Sequence, residues 1–377
     1  MISRKVVDVN GIARQSQEEG RVIIQEVLPL VSIVTPAYNR AAYLAETIES
    51  VLTQDYPRME YIVLDDGSTD NTREILVNYT GRLIWETHQN MGETRTVNKG
   101  LSMAHGEIVA VVNSDDPLLP GAVNAAVAFL QAHPDVLVAY PDWKHIGPNG
   151  EAIQHVQVRE YAYLYMVRRH HCTVGPGAFI RRSVLELAGL RDPEFRYVGD
   201  FEFWLRAGLR GPFARIPLTL ATFRRHPDST SISSMGKAMA AEHIRLIENY
   251  YSTPHLPPEV RRVRREAFAW AHYVAGIASG PARWTARAHF LKSITYHRWL
   301  WYFPGPSLRY SVGSGRRDAL SCRKHDVSSN APSEPWGRID IELHPVWGRD
   351  CAEASASSLS PAWQSGIPVK RSRCWTR

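Results

Sequence analysis

The sequence predicts an open α/β fold: a mostly parallel sheet flanked by helices, with a helical appendage toward the C-terminus. Three observations predict it. From Val31 onward, short runs of apolar and β-branched residues alternate with helical patterns, the rhythm of repeated βα units. Two of those runs end in acidic clusters, Asp65-Asp66-Gly67-Ser68-Thr69-Asp70 and Asn113-Ser114-Asp115-Asp116. Carboxylates at the C-terminal ends of parallel strands lie where such a sheet binds ligands. Finally, 377 residues with 44% hydrophobic content suffice for one large core plus a smaller attachment.

Taken in order, residues 1–28 read as an N-terminal extension and residues 29–235 as the α/β domain, divided into halves at 29–140 and 141–235. Strands are expected at Val31–Thr35, Tyr61–Leu64, Leu83–Trp85, Ile108–Val112 and Val136–Ala139, each a compact apolar run. Helices are expected between them at Tyr43–Leu52, Thr72–Asn78, Thr94–Ala104 and Ala122–Ala132, the third weakened by Gly100 in its interior. Pro141–Val158, rich in Gly, Pro and His, reads as a small antiparallel excursion, followed by helices at Tyr161–Arg169, Arg181–Ala188 and Asp200–Ala207 and a strand at Leu218–Arg224. Residues 236–308 form a helical region with periodic stretches at Met239–Tyr250, Val260–Ile277 and Ala282–Tyr302, the first two separated by Pro254–Pro258. Residues 309–377 lose all periodicity, and their Ser, Arg and Pro content predicts disorder.

Charge is placed unevenly. The net charge is +6, yet residues 253–309 alone hold nine Lys/Arg against two Asp/Glu, and residues 310–377 hold ten against seven, which leaves −4 for residues 1–252. A nucleic-acid binder would carry its positive field on the reading domain, so no nucleic-acid partner is expected. The basic C-terminal helices suit a peripheral contact with an anionic membrane surface, a helical cap on the α/β domain being the plainer alternative. The four cysteines show neither CxxC spacing nor paired histidines, against zinc and against a disulfide framework. A polar start at Met1–Asn10 and the absence of any long apolar run predict a cytoplasmic protein, at most peripheral at the inner face of a membrane.

The chemistry concentrates at strand ends. Thr35-Pro36-Ala37-Tyr38-Asn39-Arg40 closes the first strand, where backbone groups and Tyr38 can meet a nucleobase, although an ordinary strand–turn–helix would look the same. Within the next cluster Ser68 or Asp70 can cap the following helix, which leaves Asp66 for a ligand. Asp115 and Asp116 have no Lys or Arg adjacent in sequence to neutralise them, so Mg²⁺ or Mn²⁺ bridging to substrate phosphates is expected there.

These strings, in this order from about Val31 to about His226, resemble the family 2 glycosyltransferases, whose catalytic domain has the Rossmann-like GT-A fold. The resemblance implies an inverting transfer of a sugar from a nucleotide-diphosphate donor, most often a UDP-sugar, to an acceptor hydroxyl on a saccharide or lipid-linked acceptor, in polysaccharide or glycolipid synthesis. It implies nucleotide and sugar contacts from Thr35, Pro36, Tyr38, Asn39, Asp66, Asp115 and Gly177, and metal ligation by Asp116 and His226. Many members carry Arg directly before Asn98, where this chain has Val97, so Arg95 is left without an assigned role. The general base falls on Asp200, since Gly199 replaces the first acid of the family's pair. Helical geometry agrees: Asp200 and Glu202 point about 200° apart, so one helix cannot aim both into a single cleft. Glu202 can instead pair with Arg206 at i,i+4. Two rivals remain. A nucleotide-sugar-forming nucleotidyltransferase would need a Gly-rich, basic phosphate loop after the first strand, and a non-catalytic carbohydrate-binding protein would need no acid at Asp200.

Overall fold

A computed structural model describes residues 17–18, 21–22, 28–227, 229, 236–280 and 282–297. The expected tail at 309–377, the end of the last expected helix and most of the N-terminal extension lie outside the described residues. Gln17–Glu18 (β1) and Arg21–Val22 (β2) form a short antiparallel pair.

The main sheet has eight strands: β3 (Val31–Ala37), β4 (Met59–Asp65), β5 (Ile84–Thr87), β6 (Ile108–Val111), β7 (Val138–Ile146), β8 (Ala152–Val156), β9 (Phe179–Arg181) and β10 (Phe213–Arg224). Their order is β10-β7-β9-β6-β3-β4-β5, with β8 hairpinned onto β7. All pairings are parallel except those of β9, which runs antiparallel between β6 and β7, and of β8. Helices α1 (Leu44–Leu52), α2 (Thr72–Val77), α3 (Glu93–Met103) and α4 (Ala122–Ala132) connect the first strands. Beyond them lie α5 (Tyr163–Arg169), α6 (Arg182–Ala188) and α7 (Gly199–Ala207).

Strand β3 is buried along its whole length because helices cover both faces of the sheet. Val31 and Ile33 enter one apolar layer with Leu44, Ile48 and Val51, while Val34 faces the other with Val97 and Leu101. The strand runs two residues past its expected end. Pro36 interrupts nothing, because β6 stops opposite Val34 and the missing N–H falls on that open side. Gly100 does not break α3 either. The helix crosses β3 so closely that a Cβ at residue 100 would collide with Cγ1 of Val34.

The segment 141–158 does form an antiparallel excursion, the β7–β8 hairpin, although β7 continues unbroken through Pro141. Strand β9 was not expected; at three residues it is too short to show a period. The C-terminal region comprises α8 (Lys237–Ser252), α9 (Pro258–Arg262), α10 (Arg264–Ala278) and α11 (Arg283–Tyr296), so the helix expected over Val260–Ile277 is two pieces joined at Val263. These helices reach back to the α/β domain. The buried Glu242 of α8 accepts hydrogen bonds from the amides of Arg196 (3.0 Å) and Tyr197 (2.7 Å), fixing the segment that leads into α7. Among the described residues no helix is long and apolar enough to cross a membrane.

Candidate active site

Because β3, β4 and β6 are parallel neighbours, their C-terminal ends open on one edge of the sheet. At the end of β4 the two acids divide their work. Asp65 accepts from the Ser68 amide at 3.0 Å and the Thr87 hydroxyl at 2.5 Å, closing the turn. Asp66, also buried, accepts from the amides of Met91 (2.7 Å) and Gly92 (2.9 Å), and its carbonyl accepts from the Asn90 side chain (2.9 Å). It therefore holds the loop that starts α3. Asp70 caps its own turn through the Thr72 amide at 3.0 Å, while Ser68 accepts from the Asn39 amide at 2.8 Å.

Beyond β6, Asp115 meets the side chains of Arg40 and His226. Nε of Arg40 lies 3.2 Å from its Oδ2, and Nε2 of His226 lies 2.9 Å from the same oxygen. The electrostatic expectation is corrected here: no cation adjoins these acids in sequence, but the fold brings Arg40 and Arg224 to them, with His226 beside Asp115. Asp116 is directed differently. Its Oδ1 accepts from the Arg224 amide (2.7 Å) and its Oδ2 from the Asn113 side chain (2.9 Å), and burial, then the neighbouring Asp115 charge, push its pKa upward. His226 is buried with Nδ1 lacking a protein partner, and it faces Asp115 rather than Asp116.

Arg224 is only 2% exposed and ties this region together. Its guanidinium donates to the carbonyls of Asp115, Gly147 and Pro148, each at 3.0 Å, and to Glu46 of α1 at 2.6 Å, while packing over the Tyr43 ring. With its fork so occupied, Arg224 is a scaffold for Asp115 and not a free phosphate ligand.

The opposite side of the cleft is formed by two helix N-termini. Helices α3 and α7 start against one another: the Thr94 hydroxyl donates to the Phe195 carbonyl at 2.7 Å, and a Cβ on Gly199 would meet Thr94 Oγ1 at 3.0 Å. A Cβ at 199 would require Thr94 to give by a few tenths of an ångström. That close approach sets Glu93, first in α3, near Asp200, second in α7. Asp200 is exposed, and its Oδ1 accepts from the Phe201 amide at 2.7 Å. Glu202 turns away to Arg206 (2.7 Å), as its helical position requires. Glu93 is exposed, with Arg191 3.9 Å away, and the charges of Asp200 and Asp115 both act on it. Glu93 is thus within electrostatic reach of both Asp115 and Asp200.

The remaining expected residues are scattered in role. Thr35 lies inside the sheet with its hydroxyl 3.1 Å from that of Tyr61, and Pro36 is likewise buried in the ladder, so neither side chain faces the cleft. Tyr38, 45% exposed, and Asn39 lie beyond the strand end. Asn39 adopts a left-handed conformation (φ 52°) and accepts from the Thr69 amide at 2.8 Å. Gly177 also has a positive φ (76°), and a Cβ there would meet that of Ala221 at 2.6 Å, so it forms a tight packed turn ahead of β9. Arg95 points outward on α3. Sequence reasoning missed Arg40, Glu93 and Arg191. Arg40 stood in the polar loop after Asn39, whereas Glu93 resembles any acid in a first helical turn.

The chain is similar to known proteins. Residues 32–187 match the model of "Glycosyl transferase family 2". An uncharacterized glycosyltransferase of Rickettsia typhi is 28% identical over 186 residues, 47% of this chain and 58% of that protein. The poly(ribitol-phosphate) beta-N-acetylglucosaminyltransferase TarS of Staphylococcus aureus is 31% identical over 172 residues, 43% of this chain and 29% of that one. Hyaluronan synthase of Pasteurella multocida is 26% identical over 226 residues, covering 55% and 22%. The chain thus spans no more than 58% of the length of these relatives. A structure of S. aureus TarS in complex with UDP-GlcNAc shares the fold, with a TM-score of 0.50 and 19% identity over 72% of this chain and 91% of that one. Through residues 32–187, this chain is thus similar to glycosyltransferase family 2.

Proposed function

We propose that the protein moves a sugar from a nucleotide-diphosphate donor, a UDP-sugar in the first instance, to an acceptor hydroxyl with inversion at the anomeric carbon. The observation that carries this reading is that the charges of the strand-end Asp115 and of Asp200 on α7 both reach Glu93. In this reading Asp66, Tyr38 and Asn39 border the nucleoside, and Asp115, Asp116, His226 and Arg40 surround the diphosphate. Asp200 takes the acceptor's proton as its oxygen attacks C1. General-base help of this kind is worth about 10²- to 10⁴-fold.

Residues at the diphosphate end fit a hard divalent ion. A carboxylate and an imidazole converge at 2.9 Å, and the ring's other nitrogen has no protein partner. Asp115 and His226 would hold Mg²⁺ or Mn²⁺, with Asp116 orienting the loop behind them through Asn113 and the Arg224 amide. Among the described residues no three such side chains form a metal site alone, so donor phosphate oxygens would complete the shell, as is usual for Mg²⁺. When bound, the ion supplies positive charge that stabilises the departing diphosphate. An acceptor in polysaccharide synthesis is part of this reading, and the names of relatives such as TarS and hyaluronan synthase support it.

A panel of UDP- and GDP-sugars, assayed for nucleotide-diphosphate release with saccharide and lipid-linked acceptors, tests the reading. Release from one donor, abolished by chelator and restored by Mn²⁺, is expected. Nucleotide binding without release from any donor would make the protein a carbohydrate- or nucleotide-binding module, and pyrophosphate formation from a nucleoside triphosphate and a sugar phosphate would make it a nucleotidyltransferase.

A further inference from the structure

Helix α11 presents a face for which the fold offers no cover among the described residues. Its inner side is seated on α10: Phe290 packs on Tyr273 with ring centroids 5.7 Å apart, in the space left by Gly276, and Ser293 is buried. The outer side consists of Trp284, Arg287, Ala288, Leu291, Lys292 and Thr295, all exposed. Trp284 is 80% exposed and Leu291 66%, seven positions apart and therefore on the same stripe of the helix. Arg287 rests its guanidinium 5.0 Å from the Trp284 ring centre. The helix contains three Lys/Arg and not one Asp or Glu.

Each part of this pattern has a cost in water that a lipid interface would remove. An indole left in solvent wastes its large apolar area, yet its N–H is wetted at a headgroup layer, which is where tryptophan concentrates. Arg287 and Lys292, on a helix without an acid of its own, attract anionic headgroups and can extend while their alkyl stems lie along the apolar surface. A protein partner would be expected to meet a flatter charge balance and a larger apolar core than two anchors. We propose that the outer face of α11 docks the protein on an anionic lipid surface, with Trp284 and Leu291 as interfacial anchors and Arg287 and Lys292 as the headgroup contacts. This placement is independent of the glycosyl-transfer reading, since it uses neither the cleft nor its residues.

Co-sedimentation of the full chain with phosphatidylcholine vesicles, with and without phosphatidylglycerol, tests it. The parent protein is expected to bind only the anionic vesicles, and less at high salt. Arg287→Gln with Lys292→Gln should weaken binding by about 25-fold, from about 1 kcal/mol per basic residue near the surface. Trp284→Ala with Leu291→Ala should weaken it by about tenfold or more. Arg73→Gln, an exposed charge on α2, is the control and should leave binding within about twofold. Far-UV circular dichroism establishes that the helices persist in each variant. Three results would overturn the proposal: no binding of the parent to anionic vesicles at low salt, equal loss with Arg73→Gln, or undiminished binding by both α11 variants, which would move the contact to the aromatic run Trp299-Leu300-Trp301 that follows in sequence.

Discussion

Arg224 offers the sharpest distinction between a scaffold and a ligand. Replacing it with methionine keeps comparable length and apolar packing but removes the donor for three carbonyl oxygens, those of Asp115, Gly147 and Pro148, and for the Glu46 carboxylate. Losing one partner of a buried ion pair costs about 3–5 kcal/mol when the other charge is stranded. Glu46 is half-exposed and can rehydrate, which removes most of that penalty. Three orphaned carbonyls at about 1 kcal/mol each then set the scale, so a loss of about 3 kcal/mol is expected. Arg224→Lys keeps the charge but cannot fork to several acceptors, and should lose about 2 kcal/mol. Urea denaturation measures both, with an unchanged m-value showing that the same surface is exposed on unfolding. Nucleotide affinity should fall in step with stability, through displacement of Asp115. A variant of parental stability whose affinity for UDP is lower by tenfold or more would refute the scaffold role and make Arg224 a phosphate contact.

Gly100→Ala should destabilise by about 1–3 kcal/mol in urea denaturation, although alanine is the better helix former, because the added methyl collides with Val34; a stabilised variant would show that α3 does not cross β3 so closely. A second expectation concerns pH. His170 and His243 pair at 3.1 Å between α5 and α8, His272 and His289 pair at 3.0 Å between α10 and α11, and burial lowers all four, His243 and His272 to about 4. A lowered folded-state pKa means that the unfolded chain takes up the proton first, so this stability is present above about pH 6.5 and is lost as pH falls toward 4. His243 alone should remove about 2 kcal/mol between about pH 7 and pH 5, and His243→Gln should flatten that slope in denaturation experiments. Third, Glu93→Gln takes a negative charge out of a cleft proposed to receive a diphosphate, and calorimetric titration with UDP should show affinity higher by about threefold, the scale of a partly solvated charge pair; weaker binding would mean that Glu93 contacts the nucleotide favourably.

The alternation of strands and helices was legible because apolar periods of two and 3.6 are written locally, and α4 matches its expected limits residue for residue. So were the strand-end acids. What the local pattern could not show is anything decided by residues far apart in sequence. Thr35 reads as a strand end, but β4 extends to Asp65 and draws β3 on to Ala37. Asp115 and Asp116 read as twins, yet Arg224, more than a hundred positions away, takes Asp116 into the interior through its amide and leaves Asp115 to Arg40 and His226. Glu93 gains significance only because Gly199 lets α7 begin against Thr94. The buried carboxylate of Glu242, on a helix expected only as an appendage, turns out to fix the segment that positions Asp200.

The most direct measurement is a paired one on Asp200→Asn: calorimetric titration with UDP and single-turnover sugar transfer from whichever donor the parent uses. Asp200 is exposed and bonded only to the amide beside it, so the substitution should leave the fold and nucleotide affinity within about twofold while transfer falls by about 10²- to 10⁴-fold. Transfer at the parental rate would contradict a cleft in which the diphosphate is held at Asp115 and the acceptor's proton leaves through α7.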